Sequence, residues 1–151
     1  MNLVNDIAVS ETYCLSDFES PDTHEVMVRA ELIDRLQRMK RFAGIPVRIE
    51  SGYRTPERNK EVGGEPKSLH MIGQAVDVSC VGHSLALLTI AAVTAGFPSV
   101  IAYEKKNIVH CALGPREQII VPVKWSYALQ LAFPAKKDLI FMFEDVFPES
   151  R

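Results

Sequence analysis

Two histidines and one aspartate stand at spacings that suit metal chemistry. The stretch Ser68-x-His70-x-x-Gly73-x-Ala75-x-Asp77 supplies one imidazole and one carboxylate, and Val109-His110 supplies a second imidazole much later in the chain. Two ring nitrogens and a carboxylate oxygen form a ligand set that suits a catalytic zinc with one coordination position left for water. An ion held in that way polarises a carbonyl and activates water, so the chemistry to expect is hydrolysis. The same residues have plainer readings. Asp77 could cap a helix or pair with Arg54 or Arg48, and His110 could be a hydrogen-bonded histidine on a half-buried strand.

The elements around these residues decide whether they can meet. Residues 75–79 alternate as a strand: Val76, Val78 and Cys80 share one face, and Asp77 lies on the other beside Ala75 and Ser79. A carboxylate in so apolar a strand is expensive to bury without a partner. Residues 108–112 read as a second strand, with Ile108, His110 and Ala112 on one face, joined to a strand at 100–103 by the polar turn Glu104-Lys105-Lys106-Asn107. His70 falls in a loop opened by Gly63-Gly64. Upstream, Leu32, Ile33, Leu36, Met39 and Ala43 follow helical spacing over 29–43, with Gly44 as the stop. Residues 46–50 read as a short strand that leads into Ser51-Gly52-Tyr53-Arg54, and Thr55-Pro56 starts a short helix as cap and first residue. Ser84 caps an apolar helix that ends at Gly96. Residues 1–24 look irregular. Past Gly114 the pattern blurs, with strands expected at 119–123 and 139–143 and either helix or strand at 125–133.

Composition removes several classes of function. A chain of 151 residues that is 47% apolar is expected to form one domain over 1–151 with a real core, in which 114–151 is an extension. A net charge of -2 offers no general attraction to nucleic acid or to an acidic membrane. No apolar run has the length of a membrane span, and the first residues lack the layout of a secretion signal, which predicts synthesis in the cytoplasm. Cys14, Cys80 and Cys111 are widely spaced and odd in number, as expected of reduced thiols that pack as small hydrophobes.

A longer run of words narrows the field. Ser20-Pro21-Asp22-Thr23, the helix with Leu32 and Leu36, Ser51-Gly52-Tyr53-Arg54-Thr55-Pro56-Glu57-Arg58-Asn59, Val62-Gly63-Gly64, the His70 to Asp77 stretch and Val109-His110 occur in that order. Over residues 17–112 the chain resembles the zinc D-alanyl-D-alanine carboxypeptidase family, especially its short phage and prophage branch. The resemblance implies an α+β fold of the hedgehog/DD-peptidase type, with a central antiparallel sheet and flanking helices. It further implies Zn2+ held by His70, Asp77 and His110, and a peptidoglycan peptide as substrate. Arg54 matches the family's arginine that holds the substrate carbonyl or carboxylate, and Ser68 matches a serine near the substrate. Tyr53 is placed to line the pocket, and Gly73 to allow close backbone approach near the metal.

The sequence departs from the family pattern at the proton acceptor. Relatives carry an acidic residue three before the last histidine, where this chain has Asn107, and many phage relatives carry an aspartate two after it, where this chain has Ala112. Glu104, in the same turn, is the remaining candidate base. Two functions follow. One is a zinc peptidase that cuts peptidoglycan stem peptides, released on lysis or carried on a virion. The other is a non-catalytic module of the same fold that partners phage structural proteins. Trp125, Tyr127, Phe133, Phe141, Phe143 and Phe147 would complete the core on the first reading and form a contact surface on the second.

Overall fold

Helical spacing over the first apolar stretch becomes α1 (Ala30–Ala43), which buries Leu32, Leu36, Met39 and Ala43. Its outer face carries the pairs Arg35–Glu31 at 2.8 Å and Arg38–Asp34 at 3.1 Å, worth about 0.3–0.5 kcal/mol each. Gly44 closes the helix in the left-handed region (φ 65°) and donates its N–H to the Lys40 carbonyl. The structure is a computed structural model that describes residues 5–136 and 139–142.

Six strands form one sheet: β1 (Arg48–Ser51), β2 (Ala75–Ser79), β3 (Ser99–Tyr103), β4 (Ile108–Ala112), β5 (Gln118–Pro122) and β6 (Leu139–Met142), in the order β1-β2-β4-β3-β5-β6. The short helix α2 (Pro56–Glu61) follows β1, α3 (Leu85–Thr94) follows β2, and α4 (Ser126–Ala132) lies between β5 and β6. The caps expected from sequence are made. Thr55 accepts from the Arg58 N–H and Ser84 from the Leu87 N–H, each contributing on the order of 1 kcal/mol.

The α+β architecture agrees with expectation, but the sheet is mixed rather than wholly antiparallel. Strands β1, β2, β4 and β3 pair antiparallel, whereas β5 pairs parallel to β3 and β6 parallel to β5. Chain geometry explains the change. Strand β4 ends at Ala112, opposite the start of β3 at Ser99. The segment 113–117 then crosses to the outer edge of β3, so β5 begins at that same end and runs alongside it. The passage through α4 returns the chain for a second parallel pairing.

The two faces of the sheet differ sharply. Val76, Val78, Val100, Ala102, Val109, Cys111, Ile119 and Val121 pack with α1 and α3 into the main core. Alternation turns Asp77, His110, Ile101 and Tyr103 to the opposite face, where Ile101 and Tyr103 form a small second cluster with Ile108 and Ile120. Of the C-terminal aromatics, Trp125, Phe133 and Phe141 pack against the main core, while Tyr127 is 75% exposed. Phe143 and Phe147 fall outside the described residues. Cys80 and Cys111 are buried and free, as small hydrophobes would be. Among the described residues, no helix is long and apolar enough to cross a membrane.

Candidate metal centre

The register of β2 against β4 brings the first two groups together. Asp77 lies directly opposite His110, and β1 places Ser51 on the other side of Asp77. The third group arrives from outside the sheet. His70 sits in a 3-10 turn, Leu69–Ile72, rather than in the open loop expected from Gly63-Gly64. Ser68 caps that turn by accepting from the His70 N–H, and Gly73 closes it at φ 69°. One potential ligand atom each from His70, Asp77 and His110 lies within 4.8 Å of the others.

The atoms converge on a single oxygen. His110 Nδ1 is 2.9 Å from Asp77 Oδ1, and His70 Nε2 is 3.4 Å from the same oxygen. The other nitrogen of His70, Nδ1, bonds the Gly52 carbonyl at 2.7 Å. That contact fixes the ring and, with Nδ1 as the donor, leaves Nε2 as the lone-pair nitrogen facing Asp77. His70 is fully buried, and its Nε2 has no hydrogen-bond partner among the described residues. A buried nitrogen left in that condition is costly in an apolar setting, and a cation shared with Asp77 and His110 would satisfy it. On donor chemistry and on this orphaned atom, the three residues fit a zinc ion.

Both alternatives open at Asp77 are informative here. It does not cap a helix, and Arg48 turns instead to Glu50 at 3.4 Å. It does pair with Arg54, whose Nη2 donates to Oδ2 at 3.1 Å. The pairing and the convergence coexist because the carboxylate uses one oxygen for each. Burial by itself would raise the Asp77 pKa, but the two imidazoles outweigh it and hold the carboxyl well below the usual range. Burial pushes the His70 pKa down against the opposing pull of Asp77, which favours the neutral, ligating form.

Arg54 is enclosed by its own partners. It is 7% exposed, and its guanidinium also donates to Ser51 Oγ at 3.2 Å and Asn59 Oδ1 at 3.4 Å. Its backbone N–H donates to the His70 carbonyl at 3.1 Å, which ties this loop to the histidine turn. The irregular N-terminal segment braces the same loop. Asp22 accepts from Ser20 Oγ at 2.5 Å and from Thr55 Oγ1 at 2.6 Å, and Tyr53 N–H donates to the Phe18 carbonyl at 2.7 Å. A Cβ on Gly52 would stand 2.6 Å from Phe18 Cα, so only glycine permits that approach.

Other candidates spread out. Ser68 and His110 line one groove, whereas Tyr53 and Arg54 line a separate hollow with Asp17, Glu19 and Glu50. Glu104 belongs to the hairpin turn, where Lys124 Nζ holds its carboxylate at 2.5 Å. Asn107 is exposed in that turn at φ 53°. Gly73 makes its close approach to Met27 and Val28, not to the centre: an added Cβ would lie 2.7 Å from the Met27 carbonyl oxygen. Sequence reasoning gave no role to Gly52 or Asn59. Both stand in the run Ser51 to Asn59 that carries the resemblance, and Asn59 also falls one turn after the Thr55 cap, where the short helix buries it.

Residues 4–112 match the family described as Peptidase M15. The peptidoglycan L,D-endopeptidase MepK of Escherichia coli (strain K12) is 35% identical over 91 residues, which cover 56% of this chain and 50% of that protein. MepK of Shigella flexneri matches with the same identity and the same shares. The chain spans about half the length of the curated relatives it matches.

Proposed function

The chain belongs to the Peptidase M15 family, and from that footing we propose that it is a zinc-dependent peptidase acting on peptidoglycan stem peptides. The observation that carries this reading is the meeting of His70 Nε2 and His110 Nδ1 at Asp77 Oδ1, with His70 Nε2 buried and without a hydrogen bond among the described residues. The likeness to peptidoglycan L,D-endopeptidases supports the substrate class.

Zinc bound by His70, Asp77 and His110 would supply Lewis acidity, polarising a peptide carbonyl and easing the ionisation of water. The chain's own residues do the rest. Gly52 fixes the His70 ring through Nδ1, and Arg54 fixes Asp77 through Oδ2. Ile101, paired with His110 across β3 and β4, gives the centre an apolar neighbour on the open face. Glu104 is the candidate proton acceptor, and in that role its pair with Lys124 has to open.

Asn107 favours a second reading, since an amide at that position takes no proton. On it, the domain holds metal without hydrolysis and serves as a binding module, for example in a phage particle. Digestion of purified peptidoglycan with zinc-loaded protein separates the two. Hydrolysis predicts new amino termini with wild type, none with His70→Ala, and few or none with Glu104→Gln at unchanged zinc content. Stoichiometric zinc with no bond cut in any wall peptide would establish the second reading instead.

A further inference from the structure

We propose that the groove beside His110 recognises a carboxylate of the peptide, with Arg116 as its principal anchor and Lys67 as a second cation. The proposal rests on the peptidase reading for its substrate class and adds what that substrate must carry. The groove, about 320 Å³, is lined by Ser68, His110, Ile101, Gln118, Lys67 and Arg116, among others. Its volume is at the small end of ligand sites, enough for one or two residues of a peptide.

Charge and pairing point to an anion. Neither Lys67 nor Arg116 has a hydrogen bond or ion pair with any described residue. The lining holds a single carboxylate, Glu65, which already has a partner. Two cations without partners among the described residues, against one acidic residue that has a partner, leave the groove positive, next to the centre where the scissile bond would lie. Arg54, the arginine that the family resemblance assigns to the substrate carbonyl or carboxylate, is buried and bonded to Asp77, Ser51 and Asn59. Arg116 is exposed and has the planar fork that suits a carboxylate.

The loop that carries Arg116 is held at both ends. Leu113 N–H donates to the Gln74 carbonyl at 3.0 Å, and Gln118 N–H donates to the Pro98 carbonyl at 2.9 Å. Gln118 Nε2 also donates to Ser99 Oγ at 3.2 Å, which fixes that wall of the groove. Arg116 lies beyond residues 4–112, so the family match assigns it nothing.

The carboxylate could be the chain-terminal one or that of a diamino-dicarboxylic side chain, and the test tells them apart. The probes are a synthetic stem tetrapeptide ending in free D-alanine, its terminal amide, and the peptide amidated only on the diamino-acid side chain. KM is measured on zinc-loaded protein where a probe is cleaved, and calorimetric Kd where it is not. Wild type is expected to prefer the free acid over one of the amides by about tenfold or more, the value of a charge-assisted hydrogen bond. Arg116→Gln is expected to erase that preference by weakening the free acid alone, with Lys67→Gln showing a smaller loss of the same kind. The amide that binds poorly identifies the carboxylate. Equal affinity for all three probes, or an Arg116→Gln variant that keeps the wild-type preference, overturns the proposal. Cleavage without carboxylate preference sinks the groove and leaves hydrolysis standing; preference without cleavage does the reverse.

Discussion

Arg54 Nη2 donates to Asp77 Oδ2 at 3.1 Å, and this buried pair decides which carboxylate oxygen remains for a metal. Oδ1 is left facing both imidazoles. The arginine is therefore a positioning residue for the ligand, held in turn by Ser51 and Asn59. An orienting partner of this kind typically changes metal affinity by about 10–100-fold. Arg54→Gln is expected to lower zinc affinity within that range, measured by chelator competition. A KM effect on peptide with unchanged zinc affinity would instead assign Arg54 to the substrate. Breaking the pair in metal-free protein leaves Asp77 without its cation, so melting should also fall, with a cost on the order of 3–5 kcal/mol.

Gly73 is expected to tolerate no side chain. Its φ of 69° disfavours an L-residue, and a Cβ there would approach the Met27 carbonyl oxygen to 2.7 Å. Left-handed strain of about 1–2 kcal/mol adds to a steric penalty of about 1–3 kcal/mol. Gly73→Ala should therefore lose roughly 2–5 kcal/mol in urea unfolding, whereas Gly82→Ala, which has the same left-handed backbone (φ 73°) with open space at its Cβ, should lose only the strain.

Alkaline stability should report on Tyr13. Its hydroxyl donates to the Val47 carbonyl at 2.8 Å, and burial, aided by Asp17, pushes its pKa up to about 12. The folded chain holds this proton more tightly than the unfolded chain, whose tyrosine titrates near its ordinary value of 10. The contribution is therefore complete below pH 10 and is lost as pH rises from there through about 12. It amounts to about 3 kcal/mol at most. Tyr13→Phe is expected to be less stable at pH 8 and to show a shallower decline above pH 10, followed by urea midpoint against pH. A parallel decline in both proteins would contradict this.

Much of the scaffold can be read in the residues because local chemistry dictates it. Helix α1 with its Gly44 stop, the Thr55 and Ser84 caps, and the facing of Asp77 and His110 all follow from spacing and side-chain type. Relationships fixed only by packing are hidden. The parallel pairing of β5 depends on where the segment 113–117 crosses, and 125–133 carried no periodicity strong enough to choose helix over strand until Leu129 found the core. The pairing of Arg54 with Asp77 is among the alternatives the residues offer, but nothing local announces that Asn59 will close on the same guanidinium. The groove cations Lys67 and Arg116 are far apart in sequence, and only the fold makes them neighbours of His110.

The central claim is that three side chains hold one cation, and metal content tests it most directly. Purified protein, dialysed against a weak chelator, is assayed for zinc alongside His70→Ala, Asp77→Ala and His110→Ala, with circular dichroism as a check on folding. One zinc per wild-type chain and far less in each folded variant is the predicted result. A wild type that retains no zinc when reloaded, or folded variants that all keep a full equivalent, would contradict it.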